Sequence, residues 1–156
     1  MKVPTGFNSQ AFIELIRMRV LETFTMALQL LLAEVRTTVP VDSGQLYLSI
    51  RAEQPEWINF FWIKARVIAG GSDVPQAIWT ELGTRPHGPV FAKAMHFRTK
   101  GGTEVFTRWV RGVEAMHWMR NATNMVFPQI NMLFQTLAAE LRATIIVTKT
   151  TPSTSP

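Results

Sequence analysis

Phe12, Ile16, Val20, Phe24, Ala27, Leu31 and Val35 recur at spacings of three and four. On a helix that spacing stacks them along one side. Ser9 is a suitable N-cap, and the periodicity holds to about Arg36, which predicts a helix over 9–36. At ~1.5 Å per residue such a helix is about 40 Å long, which is long for a domain of 156 residues. Leu15, Leu21, Leu28, Leu30 and Leu32 widen the apolar face beyond one stripe. A helix of that length and breadth needs a second helix or a neighbouring subunit to cover it. Gln10, Glu14, Arg17 and Gln29 lie off the stripe, and Glu14 and Arg17 are spaced for a helical ion pair.

What stops this helix is the segment VPVDSGQLYLSI at 39–50. Pro40 disfavours helical geometry at Val39 and donates no backbone N–H. Asp42 and Ser43 offer side-chain acceptors for a turn, and Gly44 is free to take positive φ. From Leu46 on, Leu46, Leu48 and Ile50 alternate with Tyr47, Ser49 and Arg51, which predicts a half-buried strand. Pro40, Asp42, Ser43 and Gly44 therefore form a joint expected to set the angle between helix and sheet.

Downstream, Gln54, Pro55 and Glu56 suggest a turn, and 57–69 is dense in aromatic and β-branched residues, as a strand would be. Trp57, Phe60, Phe61 and Trp62 interleave with Lys64 and Arg66, the ingredients of a base-stacking platform. These aromatics fall on both strand faces, so a place in the core is the preferred expectation. A short helix is expected over 74–82, with Asp73 as cap, Pro75 in its first turn and Gly83 at its C-terminus. A Pro- and Gly-rich loop follows over 84–90, then a hairpin with arms at 94–98 and 104–110. A final helical piece begins near Ala115, with Pro128 dividing it or opening a new helix. Ile130, Leu133, Phe134, Leu137, Leu141 and Ile145 mark its stripe. The domain organisation expected is an N-terminal arm at 1–8, one α+β domain at 9–147 and a disordered tail at 148–156.

The net charge of +5 is concentrated. Arg85, Lys93, Arg98, Lys100, Arg108, Arg111 and Arg120 face only Glu104 and Glu114, an excess of five that equals the whole net charge. A polyanion or an acidic protein surface is one partner for such a region, and a solvated basic face is the other reading. Catalytic chemistry has little to work with. There is no cysteine, which removes disulfides, thiolate metal sites and cysteine nucleophiles together. His87, His96 and His117 form no i, i+4 pair, so no metal site is expected. Asp42 and Ser43 could be drawn into a triad only by a geometry the sequence does not supply. Phosphate-loop, dinucleotide and nucleophile-elbow patterns are missing. Glu81, beside Gly83 and Thr84, is expected to hydrogen-bond at a helix end or loop. No cofactor is expected. Absence of a long apolar run argues against a spanning helix or signal peptide, and synthesis in a cytoplasm is the simplest expectation.

Three segments taken together resemble a known family. They are VPVDSGQLYLSI at 39–50, IWTELGTRPH at 78–87 and MHWMRNA at 116–122. Their order and spacing are similar to the tail-component family of long-tailed bacteriophages, the neck or tail-completion proteins of the head–tail junction. That family has a "Pro-Val-Asp-Thr-Gly-x-Leu" turn, then strands, a "Glu-Phe-Gly-Thr" element and a "Pro-Phe-Leu-x-Pro-Ala" segment leading into a terminal helix. Here Ser43 stands for the usual Thr and Leu82 for the aromatic. His117 and Trp118 stand for Pro-Phe, and Asn121 for the second Pro. The likeness spans roughly 9–146.

The resemblance implies an α+β subunit with a small antiparallel sheet, a long N-terminal helix and a C-terminal helix, and Glu81, Gly83 and Thr84 as family-motif residues. It implies no catalytic residues. It also implies a homo-oligomeric ring of six or twelve copies in the virion, between connector or portal-side proteins and tail-terminator or tail-tube proteins. Genomic DNA would pass non-specifically through its lumen, and no membrane would be involved. Arg85, Lys93, Arg98, Lys100, Arg108 and Arg111 would then face DNA or an acidic partner. The alternative is an independent nucleic-acid-binding module built on the basic region 85–120.

Overall fold

A computed structural model describes residues 9–99 and 101–150. The expected arm at 1–8, residues 151–156 of the expected tail, and Lys100 lie outside the described residues. Helix α1 runs Ser9–Thr38 and α4 runs Trp118–Thr150. Between them come α2 (Gln45–Ser49), β1 (Arg51–Trp57), β2 (Ile63–Ile68), α3 (Gln76–Leu82), β3 (Met95–Arg98) and β4 (Glu104–Thr107). The architecture is α+β, with two separate antiparallel ribbons, β1–β2 and β3–β4.

The two long helices pack antiparallel. Thr38 Oγ1 donates to the Trp118 carbonyl at 3.2 Å, and Phe24 meets Phe134 edge-on at 4.9 Å. At the far end Phe12, Leu15 and Ile16 face Leu141 and Thr144. Every residue of the α1 stripe is buried or half-buried, so α4 is the second helix that the stripe requires. On α4, Ile130, Leu133, Phe134, Leu137 and Leu141 are likewise covered, while Ile145 is 40% exposed. Pro128 neither divides α4 nor opens a new helix. It lies on the exposed side, as does Asn124 one turn earlier, so solvent can satisfy the carbonyl left without a donor. Thr148, Lys149 and Thr150, expected in the tail, close α4 instead.

The strand expected from Leu46 is the short helix α2. Leu46 and Ile50 are buried, while Leu48 between them is 81% exposed. Leu46 and Ile50 share a face in either geometry, at i, i+4 on a helix or at even spacing on a strand, so only Leu48 tells them apart. Gly44 sits left-handed at φ 79°, and its carbonyl accepts the Leu48 N–H at 2.9 Å. Ile50 is extended and launches β1.

The turn expected at Gln54, Pro55 and Glu56 is absorbed into β1 as a bulge between Glu53 and Glu56. A bulge tolerates the donor that Pro55 lacks. The chain reverses later, at residues 58–62. Asn59 Oδ1 there accepts the Phe61 and Trp62 N–H groups at 2.9 and 3.0 Å, and Ile58 N donates to the Trp62 carbonyl at 2.8 Å. The expected Glu14–Arg17 pair is also replaced. Glu14 accepts from Gln10, and the Arg17 guanidinium lies 5.2 Å from the centroid of the Trp57 ring.

The main core cluster is Val35, Val39, Leu46, Ile50, Ala77, Trp118 and Ala122, and Ala27, Leu28, Val126 and Leu137 are buried besides along α1 and α4. The cluster sits where the C-terminus of α1, the joint, α3 and the start of α4 meet.

Candidate functional site

The three segments that carry the resemblance lie far apart in the chain; the first and third meet in that cluster and the second borders it. Val39, Leu46 and Ile50 come from the first, Ala77 precedes and Thr80 belongs to the second, and Trp118 and Ala122 come from the third. The bonding between the second and third is specific. Helix α4 has no acidic residue in its first turn, and the residue before it, His117, is left-handed at φ 50°. Glu81 of α3 supplies the missing cap. Its carboxylate accepts the Met119 N–H at 2.9 Å and the Arg120 N–H at 3.2 Å, placing negative charge at the positive end of the helix. Trp118 Nε1 donates to Thr80 Oγ1 at 3.1 Å, and the Met116 and His117 N–H groups donate to the Thr80 and Glu81 carbonyls.

Gly83 and Thr84 complete this clamp. Thr84 N donates to the Val113 carbonyl at 2.8 Å, and Val113 N donates to Thr84 Oγ1 at 2.9 Å. At Gly83, φ is 73°, and a Cβ would lie 2.8 Å from both Ala115 N and the Val113 carbonyl. Only glycine fits. Gly44 is less demanding: φ is 79°, but nothing lies within 4 Å of where its Cβ would be. Glu81, Gly83 and Thr84 thus hold α3 and its following loop to α4. Pro40, Asp42, Ser43 and Gly44 form a surface turn over the core, with Asp42 and Ser43 exposed.

The basic residues occupy a projecting arm. Thr84 and His87 pair with Val113 and Val110 at its base, and β3 and β4 pair at its end. Among the described residues β3 and β4 pack substantially only on each other. Arg85, Lys93, Arg98, Arg108 and Arg111 are all exposed there. Arg98 is bound to Glu104 at 3.0 Å, and Glu104 also faces His96 at 3.6 Å. No carboxylate of the described residues pairs with Arg85, Lys93, Arg108 or Arg111. Phe106 and Trp109 are more than half exposed beside them, and Phe91 is 101% exposed.

The aromatic segment departs furthest from expectation. Phe60, Phe61 and Trp62 are 60%, 85% and 69% exposed at the turn of the β1–β2 ribbon. In a hairpin turn side chains leave both strand faces, so Phe60, Phe61 and Trp62 do not enter the core expected for them. Below the turn Lys64 pairs with Glu56 at 3.0 Å and Arg66 with Glu53. The Arg66 guanidinium, hydrogen-bonded to Glu53, holds that carboxyl below its ordinary range and is itself raised.

Among the described residues no catalytic constellation comes together. The histidines are separately engaged: His87 Nδ1 with the Arg85 carbonyl, His96 stacked on Phe106 at 4.3 Å, and His117 with Arg120. Among the described residues no group of three or more His, Cys, Asp or Glu side chains could hold a metal ion. No helix of the described residues is long and apolar enough to cross a membrane. Sequence reasoning missed Thr80 and Trp118 as clamp partners, which a buried Trp just after an unusual helix start could have signalled. It also missed the projecting turn, for which Asn59 before two aromatics was the signal. No protein-family model, curated protein or solved structure matches the chain.

Proposed function

We propose that the chain is a non-enzymatic structural subunit of a tailed-bacteriophage virion. It forms a ring at the head–tail junction, in the neck or upper tail, that joins head to tail and continues the DNA channel. The observation that carries this reading is the use made of the three likeness segments. The first and third supply residues of the core cluster and the second and third form the helix clamp, as a signature of architecture would.

The surface supports assembly. The chain exposes 12124 Å², against about 8,000 Å² for a compact monomer of its mass. Even if the residues outside the described ones were granted the full unfolded-chain rate, about 2,400 Å², the rest would stay over-exposed. Met18 and Met26 of α1 and Met125, Phe127 and Met132 of α4 are each more than half exposed, apolar area available to a partner. Sedimentation of the purified protein together with reconstruction of the neck of an intact particle tests the reading. A ring of six or twelve copies is expected. A monomer at every concentration, absent from purified virions, refutes it.

A second reading is favoured by one feature, the arm, where Arg85, Lys93, Arg108 and Arg111 lack carboxylate partners among the described residues and Trp109 and Phe106 are exposed. An independent nucleic-acid-binding module would use them for phosphate contact and stacking. Four phosphate contacts give a slope of log affinity against log salt of about −3 to −4, and neutralising the four arginine and lysine side chains should abolish it. Salt-insensitive or absent DNA binding by the isolated protein removes this reading and leaves the first untouched.

A further inference from the structure

The β1–β2 turn is built to present its aromatics. Asn59 Oδ1 accepts two backbone N–H groups, Ile58 N closes the turn on the Trp62 carbonyl, and Phe60 and Phe61 hold each other edge-on at 5.0 Å. A knob fixed in this way loses little conformational freedom when it is buried. Ile58, Phe60, Phe61 and Trp62 are each more than half exposed. With aromatic side chains worth about 150–250 Å² each, the knob offers on the order of 400–500 Å² of apolar surface. A stable interface needs about 800 Å² per partner, so this one turn supplies about half.

At the other end of the same ribbon is a hollow. Strand pairing puts Trp57 and Ile63 beside the knob and Arg51 and Ile68 at the opposite end. Ala69, the next residue, lines a hollow of about 180 Å³ with Ala77, Ile78, Leu82, Trp118 and Met119. Its wall is almost wholly apolar, because Glu81, which also borders it, is turned to its duty at the start of α4. An apolar cavity of about 150 Å³ holds a benzene ring, so the hollow matches one aromatic side chain of the knob. Ile78 and Leu82 on its rim are 64% and 66% exposed. Seven strand residues at ~3.3 Å each separate knob from hollow by roughly 20 Å. The two features therefore cannot meet within one chain.

Another hollow, of about 340 Å³ between α1 and α4, carries Arg19 and Glu140 on its wall. It lies toward the knob end of the ribbon, where Arg17 covers Trp57. That makes it a poorer receptor in chemistry. Knob and receptor at the same end would also pair two copies back to back and close there.

We propose that the knob of one copy, led by Phe61 and Trp62, seats in the Ala69–Trp118 hollow of the next copy. The contact is head to tail, with different surfaces on the two partners. Repetition of such a contact closes a ring or extends a filament, whereas a two-fold contact stops at a dimer. The inference rests on the ring reading and deepens it by naming the contact.

The chain has no cysteine, so placed thiols report the contact directly. Phe61→Cys and Leu82→Cys alter exposed side chains. Mixed under mild oxidation, the two single variants should cross-link to each other, while neither should cross-link alone. The double variant should give a ladder of covalent oligomers. Separately, Phe61→Ser with Trp62→Ser should weaken self-association by roughly thirty-fold or more, with the urea midpoint unchanged. Cross-linking of Phe61→Cys to itself or to Leu15→Cys, in place of Leu82→Cys, overturns the assignment. So does failure of all these pairs when the wild-type protein is oligomeric, and that result leaves the ring reading standing. Wild-type protein that is monomeric at every concentration sinks both. Sedimentation with phosphatidylcholine–phosphatidylglycerol vesicles, lost in the Phe61→Ser/Trp62→Ser variant, would assign the knob to a lipid surface and also overturn the proposal.

Discussion

Removing the Glu81 carboxylate should destabilise the chain through a helix to which Glu81 does not belong. Helix α4 begins at Trp118 without an acidic residue in its first turn, and Glu81 accepts the N–H groups of Met119 and Arg120. An N-cap side chain typically contributes ~1 kcal/mol. Hydrogen bonds to a charged group reach about 1.5–3 kcal/mol, and the helix dipole adds about 0.3–1 kcal/mol. Glu81 is half-buried, so these contributions are only partly screened. The first turn it holds also carries Trp118 and Ala122, both in the core cluster. Glu81→Ala is therefore expected to cost about 2–3 kcal/mol, and Glu81→Gln about 1 kcal/mol, because the amide keeps one acceptor and loses the charge. For a chain of this size the alanine variant should melt roughly 5–10 °C lower. Urea unfolding followed by far-ultraviolet circular dichroism checks this, with the midpoint moving and the slope unchanged. Glu140→Ala, on the exposed face of α4, serves as a control and should stay within about 0.5 kcal/mol. A Glu81→Ala loss no larger than that control refutes the trans-cap.

Gly83→Ala should cost at least 3 kcal/mol or prevent folding, since strain at φ 73° adds to two contacts at 2.8 Å. Gly44→Ala, strained but unobstructed, should cost about 1–2 kcal/mol and fold normally; urea midpoints of the pair settle the order. The Glu53 carboxyl is lowered chiefly by its hydrogen bond from Arg66, so the pair stabilises at neutral pH. That contribution should fade as pH falls below the ordinary carboxylate range. Midpoints measured across that range, at low and high salt, should show a salt-sensitive loss that Glu53→Gln removes. Trp57 Nε1 is buried without a hydrogen-bond partner, so Trp57→Phe should stay within about 0.5 kcal/mol of wild type. Thr80→Val should cost about 1–3 kcal/mol by orphaning Trp118 Nε1.

The long elements were legible because periodicity is a local signal. The α1 stripe from Phe12 to Val35 and the α4 stripe from Ile130 to Leu141 are covered as their spacing predicts. The α3 stop at Gly83 was equally readable. What failed were short segments in which two geometries satisfy the same pattern. Leu46 and Ile50 suit a strand or a helix, and Pro55 suits a turn or a bulge. Glu81 was assigned to helix-end bonding, but nothing in a linear sequence says that the end belongs to a helix 38 residues away. The joint at 40–44 was expected to set the angle between helix and sheet, which gives Gly44 an exacting role. Space around each Cβ, invisible in sequence, moves that role to Gly83.

The aromatic turn failed for a different reason. Assigning Phe60, Phe61 and Trp62 to the core assumed that the single chain is the unit that must hide its apolar surface. A subunit does not obey that rule, because part of its core is completed by its neighbours. Composition cannot separate the two cases, since a strand that enters a core and one that enters a partner are equally rich in Phe and Trp. The turn chemistry can. Asn59 caps a reversal at the point where the aromatics are densest, and a reversal puts its side chains beyond the sheet. Under the proposed contact, the exposed Ile78 and Leu82, on a helix whose other face is locked to α4, follow the same logic as its receiving rim. Apolar residues held rigidly outward on a short, well-anchored element are best accounted for by a surface that the chain alone does not contain.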